Sequence, residues 1–254
     1  VMGVSGWYFS NSNAELPSPG CSPNAPLPAP HATRPVSQEE KVLDADLIRV
    51  GISDDAMTEM EYTGTRISAS GDYRITDQGT GKVLMDRAPS WLVSHVSVDK
   101  NGFAVKKPNG EVIASGLKGP LRFEPLSPSS RMTIKGITRK KIQPYYRGVL
   151  EVTRGYSAPN KLSVVNILPL QDYLRAVVPN ELPPSYGLEA VKAQAVAARN
   201  YALRPRDNVW PQFDICDSQY CQAYYGANTE HPETDRALAE TQGLVGLYNG
   251  EIIL

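Results

Sequence analysis

Few residues of this chain could do chemistry. The first is a glutamate in a proline-bracketed stretch, Val178-Pro179-Asn180-Glu181-Leu182-Pro183-Pro184. A carboxylate on a stiffened backbone suits general acid/base work, because proton transfer needs the group at a fixed distance from the atom it serves. An arbitrary glutamate beside a helix is more often a solvated loop residue, and the prolines on both sides are what single out Glu181. Cys216 and Cys221 stand in FDICDSQYCQAYYG with four residues between them. Such a pair closes a small disulfide loop in an oxidising compartment, or supplies half of a zinc site to which Asp214 and Asp217 would add oxygens. His31, His95 and His231 are too scattered for a metal cluster or a nucleophile–base pair. No serine stands in a Gly-x-Ser-x-Gly setting, and Gln78-Gly79-Thr80-Gly81 lies between strand-like runs, which is hairpin chemistry and not a phosphate cradle. Nucleotide enzymes are therefore not expected, and no cofactor is.

Two helices must position Glu181. After a strand-like run at 161–168, Leu170, Leu174, Val177 and Val178 recur at helical spacing, with Asp172 favourable in the first turn. Pro179 is expected to end that helix and leave Glu181 on a rigid, partly enclosing loop. A second helix is predicted over 188–203, with Leu188, Val191, Ala195, Ala198 and Ala202 on one stripe and alanines small enough for close packing. Lys192 and Arg199 fall on one flank of the stripe, Gln194 and Tyr201 on the other. Each flank reads either as a solvated face or as a wall that binds a sugar or acyl chain. Glu181, Lys192, Gln194, Arg199, Tyr201, Gln222 and Tyr224 are the predicted lining of a substrate groove, since amide, phenol and cationic groups suit hydroxyl-rich polymers.

The remainder reads as scaffold. Short β-branched or alternating runs at 47–53, 65–77, 91–98, 103–115 and on to 154 are separated by turn residues, Asn109-Gly110 the clearest of them. They predict an antiparallel, barrel-like or sandwich-like sheet, so the fold class is α+β: a β-rich scaffold (44–166), a helix-containing catalytic part (167–254), and a groove between them. A further helix is predicted from about 232 to 241, capped by Asn228 or Thr229, and then a hairpin turning at Asn249-Gly250. That hairpin's last strand is cut in its apolar stretch, so the natural chain is expected to run on. Residues 1–43 are expected to be a tail, with a proline-rich linker at 11–40 that holds Cys21. A composition of 41% hydrophobic and 21% charged residues is that of a globular protein. With a net charge of -1 and no basic run longer than Arg139-Lys140-Lys141, nucleic acid is not an expected partner.

The segment PLQDYLRAVVPNELPPSYGLEAVKAQAVAARNYAL, followed by FDICDSQYCQAYYG and ALAETQGLVGLYNGEII, resembles the stage II sporulation protein D family (SpoIID/LytB, amidase enhancer). IRVGIS and YYRGVLEV upstream are similar to that family's strand segments. The resemblance implies work on peptidoglycan outside the cytoplasm, in the periplasm or cell wall, with glycan strands as substrate and a cell-wall amidase as a further partner. It implies a lytic transglycosylase with Glu181 as the catalytic residue. The competing reading is a non-catalytic module that recruits or stimulates an N-acetylmuramoyl-L-alanine amidase. Zinc-binding members carry a histidine before the second cysteine, where this chain has Tyr220, so no metal is carried over. Export then implies a disulfide between Cys216 and Cys221.

Overall fold

The computed structural model describes residues 47–204, 211–218 and 220–253. The proline-rich segment, with Cys21 and His31, lies outside them, as does Leu254. Eleven strands come first: β1 (Leu47–Ile52), β2 (Gly64–Ala69), β3 (Tyr73–Asp77), β4 (Lys82–Ala88), β5 (Ser94–Asp99), β6 (Gly102–Lys106), β7 (Val112–Leu117), β8 (Leu121–Pro125), β9 (Met132–Ile134), β10 (Val149–Arg154) and β11 (Leu162–Pro169). Helices α1 (Leu170–Glu181) and α2 (Leu188–Leu203) follow, then β12 (Ile215–Cys216), α3 (Pro232–Glu240), β13 (Leu247–Tyr248) and β14 (Glu251–Ile252).

The fold is α+β. A seven-stranded sheet runs in the order β12-β1-β11-β10-β8-β3-β4, and a five-stranded one in the order β7-β6-β5-β2-β9. Pairing is antiparallel throughout these sheets except at β1-β12. The run at 65–77 is two strands that enter different sheets, so the chain crosses from one to the other at Ser70-Gly71. Ile67, Val96 and Phe103 from one sheet share a core with Tyr73, Phe123 and Leu150 from the other. Alternation sets the faces: β5 buries Ser94, Val96 and Val98 and turns His95, Ser97 and Asp99 outward. β11 is buried along seven of its eight residues because both its faces are covered, Val164 and Leu168 on one, Val165 and Ile167 on the other.

α1 buries Leu170, Leu174, Val177 and Val178 as their spacing requires, but it does not stop at Pro179. The expected break is corrected by two hydrogen bonds. The Leu182 N–H reaches the Val178 carbonyl (3.0 Å), and the Asn180 side-chain amide donates to the Ala176 carbonyl (2.7 Å). With a single turn left to complete, the bond that proline removes is tolerable. α2 spans the predicted residues and buries Val191, Ala195 and Ala198, but also Arg199 and Asn200. α3 is capped by His231, whose Nδ1 accepts the Glu233 N–H (3.2 Å), and not by Asn228 or Thr229, which lie in a preceding 3-10 turn. Among the described residues no helix is long and apolar enough to cross a membrane.

Candidate active site

Glu181 is the last residue of α1 and is exposed, so the enclosure expected from its prolines is corrected: they bracket a helix end that faces solvent. One of its oxygens is fixed. Oε1 accepts the backbone N–H of Ala223 (2.8 Å), while Oε2 has no hydrogen-bond partner among the described residues. The carboxylate is thus oriented through one oxygen and open through the other.

Ala223 is in reach because the loop that carries it is tied down on several sides. Cys216 and Cys221 are disulfide-bonded across it. Between them, Asp217 is fully buried and pairs with Arg139 (2.6 Å), while its other oxygen accepts the Ser53 hydroxyl (2.6 Å) and N–H (3.0 Å). Arg139, itself buried, donates also to the carbonyls of Ser53, Asp54 and Thr138. A buried ion pair persists only when its remaining donors and acceptors are satisfied in this way. Beyond Cys221, Gln222 accepts the Tyr173 hydroxyl proton (3.1 Å) and donates to the Ala198 carbonyl (3.3 Å), and the Tyr224 hydroxyl donates to Asn166 (2.6 Å).

Arg139 also anchors a second contributor. Arg139 and Ile142 exchange N–H···O bonds in both directions (2.8 and 3.0 Å), closing a two-residue turn with φ of 50° at Lys140 and 65° at Lys141. Such turns ordinarily take Asn-Gly, because a side chain with positive φ is strained. Here the turn holds the Lys140 ammonium on the Asn180 side-chain oxygen (3.0 Å), next in sequence to Glu181, and 5.1 Å from the ring centroid of Tyr225. Tyr225 is set by Gly226 (φ 79°), where a Cβ would come within 2.7 Å of the Tyr145 carbonyl. Burial first, and then the negative charge of Glu181, push the Tyr225 phenol above its ordinary range, so it remains a proton donor at neutral pH. Lys140, Tyr225 and the Ala223 N–H were not among the residues read from the sequence. The signal for Lys140 was the run Arg139-Lys140-Lys141, which declares charge but not that a lysine pair occupies a tight turn.

The other predicted site residues divide. Gln222 and Tyr224 lie on either side of Ala223 in sequence, yet their side chains are buried and used in the core, so they are corrected from groove lining to loop anchors. Arg199 is fully buried and donates to the Leu244 carbonyl (3.0 Å) and to Gln171 (3.4 Å), which removes it from any open groove. Lys192 is ion-paired with Glu189 and with Glu240 of α3. Gln194 and Tyr201 are half-buried on α2, Tyr201 against the core. Asp217 and Glu230, acids of the neighbouring loops, are taken by Arg139 and by Arg147 and Arg175. Among the described residues no three His, Cys, Asp or Glu side chains gather as metal ligands. Glu181 thus has a cation, Lys140, and a phenol, Tyr225, in its surroundings.

Residues 158–248 match the family model for the stage II sporulation protein, SpoIID. The chain is 37% identical over 93 residues to an uncharacterized protein of Brachyspira hyodysenteriae, across 35% of this chain and 25% of that one. It is 41% identical over 80 residues to the amidase enhancer of Bacillus subtilis (32% of this chain, 10% of the relative). With the stage II sporulation protein D of the same organism it shares 32% identity over 112 residues (36% and 31%). The matches thus span between 10% and 31% of these relatives' lengths. No solved structure matches the chain significantly.

Proposed function

By its segment 158–248 this chain belongs with the SpoIID/LytB proteins, and from that premise we propose that it is an extracytoplasmic lytic transglycosylase that cuts peptidoglycan glycan strands. The observation that supports this reading is the Glu181 carboxylate, oriented through one oxygen and open through the other. Most glycoside hydrolases use a second carboxylate, either to activate water or to act as nucleophile. Intramolecular attack needs only one. Glu181, protonated at Oε2, donates to the oxygen between N-acetylmuramic acid and N-acetylglucosamine, and the C1–O bond breaks. The muramyl 6-hydroxyl then attacks C1 and gives its proton back to the same carboxylate, closing a 1,6-anhydro ring and restoring the acid. The Ala223 N–H keeps the carboxyl group in one orientation through both transfers. Lys140 and Tyr225 present donors to the sugar hydroxyls beside it.

The name of the Bacillus subtilis relative, amidase enhancer, favours one second reading: a module that stimulates a cell-wall amidase without cutting glycan. One assay separates the two. The full natural protein is incubated with purified glycan strands, and the ends are identified by mass spectrometry. Anhydro ends are expected. Reducing ends instead would mean a hydrolase. Absence of cleavage, with stimulation of an added amidase, would replace the first reading by the second.

A further inference from the structure

Away from Glu181, the five-stranded sheet carries a feature that the chemistry above does not use. The register sets Arg66 of β2 directly opposite His95 of β5, and His95 opposite Lys106 of β6. On the other side Ile67 pairs with Ile134, which brings Lys135 beside Arg66, and the Lys135 N–H donates to the Arg66 carbonyl (2.8 Å). Directly paired residues share a face, so Lys135, Arg66, His95 and Lys106 form one row across four strands. Arg66, Lys106 and Lys135 are exposed and His95 is half-buried. None of the four has a side-chain ion pair among the described residues. Like charges placed directly opposite one another, as Lys135 and Arg66 are here, oppose folding. The row is about 14 Å long, three strand spacings.

The next row on the same face is Gly64, Ser97 and Ala104, whose small side chains leave a trough alongside the cations. Lys135, Arg66, His95 and Gly64 line a cleft of about 490 Å³ together with Asp54, Asp55 and Tyr62. Of these, Asp55 accepts from Thr138, Asp54 from Thr58 and Glu59, and the Tyr62 hydroxyl donates to the Ile52 carbonyl.

We propose that this row and trough bind a linear phosphodiester polymer without bases, of the polyol-phosphate type. Three cations in the row, Lys135 and Arg66 on neighbouring strands and Lys106 beyond His95, call for closely spaced charges along the ligand, which such a chain has. A glycan with one carboxylate per disaccharide does not. Neither row offers an aromatic face on which nucleobases could stack, Tyr62 of the cleft is largely buried with its hydroxyl on the Ile52 carbonyl, and a bilayer surface cannot enter a concave cleft. The site is independent of the reaction proposed at Glu181.

The test is binding of fluorescently labelled poly(glycerol phosphate) to the chain by anisotropy over a series of salt concentrations. Binding is expected with a slope of log K against log salt of about −2, as for three neutralised charges on a single strand. Arg66→Glu with Lys106→Glu should weaken it at least about tenfold, each lost ion pair being one less counterion released. Arg66→Gln with Lys106→Gln provides the same readout should charge reversal disturb folding. No binding at low salt, or undiminished binding by both double variants, overturns the proposal. Equal or tighter binding of oligo(dT) or of phosphatidylglycerol vesicles also overturns it, in favour of nucleic acid or membrane.

Discussion

Two regions of this molecule use positive charge in opposite ways. Around the cystine loop the arginines are turned inward on partners: Arg139 on Asp217 and three carbonyls, Arg147 on Glu230, Arg175 on Asp235. On and beside the five-stranded sheet Lys135, Arg66 and Lys106 face solvent with no ion-pair partner among the described residues. The first set fixes backbone so that one carboxylate is held in place. The second does nothing for the fold and resists it slightly. Charge that organises a site and charge that meets a ligand can therefore be told apart by what each side chain touches.

The comparison can be broken most forcefully at Arg139. Arg139→Met leaves Asp217 buried without its partner and should cost about 3–5 kcal/mol in denaturant unfolding; an unchanged midpoint would show that the pair organises nothing. Glu181→Gln comes next. The amide oxygen still accepts from Ala223, so stability should hold, while glycan cleavage falls by about two orders of magnitude or more. Full activity in that variant would move the chemistry to another residue. Removing the disulfide by Cys216→Ser with Cys221→Ser should lower stability by about 2 kcal/mol, the loop-entropy value for so short a ring, and should lower cleavage because Ala223 is no longer held. A melting temperature insensitive to the change would leave Asp217 as the loop's main anchor. The smallest effect is expected on the sheet, where Arg66→Gln with Lys106→Gln should raise stability by roughly 0.2–1 kcal/mol through relief of repulsion, with cleavage untouched. Loss of stability there would mean that the row supports the fold after all.

Much of the scaffold was legible because it is local. The Asn109-Gly110 turn, the alternation of β5 and the alanine stripe of α2 each state their structure within a few residues. Glu181 was legible as a carboxylate between prolines, but its setting was not. Pro179 reads as a helix end because the bonds that carry α1 past it come from Asn180 and Leu182 in three dimensions. Arg199 and Tyr224 read as surface groups because side-chain type says nothing of a carbonyl or an asparagine waiting in the core. Lys140 was hidden for the opposite reason, since its turn is held by Arg139 and not by turn-forming residues.

The cystine loop has a consequence for when the molecule becomes competent. Asp217 meets Arg139 across 78 residues of chain, Tyr224 meets Asn166 across 58, Gln222 meets Tyr173 across 49, and Ala223 meets Glu181 across 42. Contacts so distant along the chain close late, after the local hairpins and helices that reduce the entropy of joining them. The carboxylate therefore acquires its orientation only when sheet, helices and loop have all arrived. A newly made or unfolded chain carries Glu181 but no aimed carboxylate, so under the function proposed above competence would arrive only with these long-range contacts.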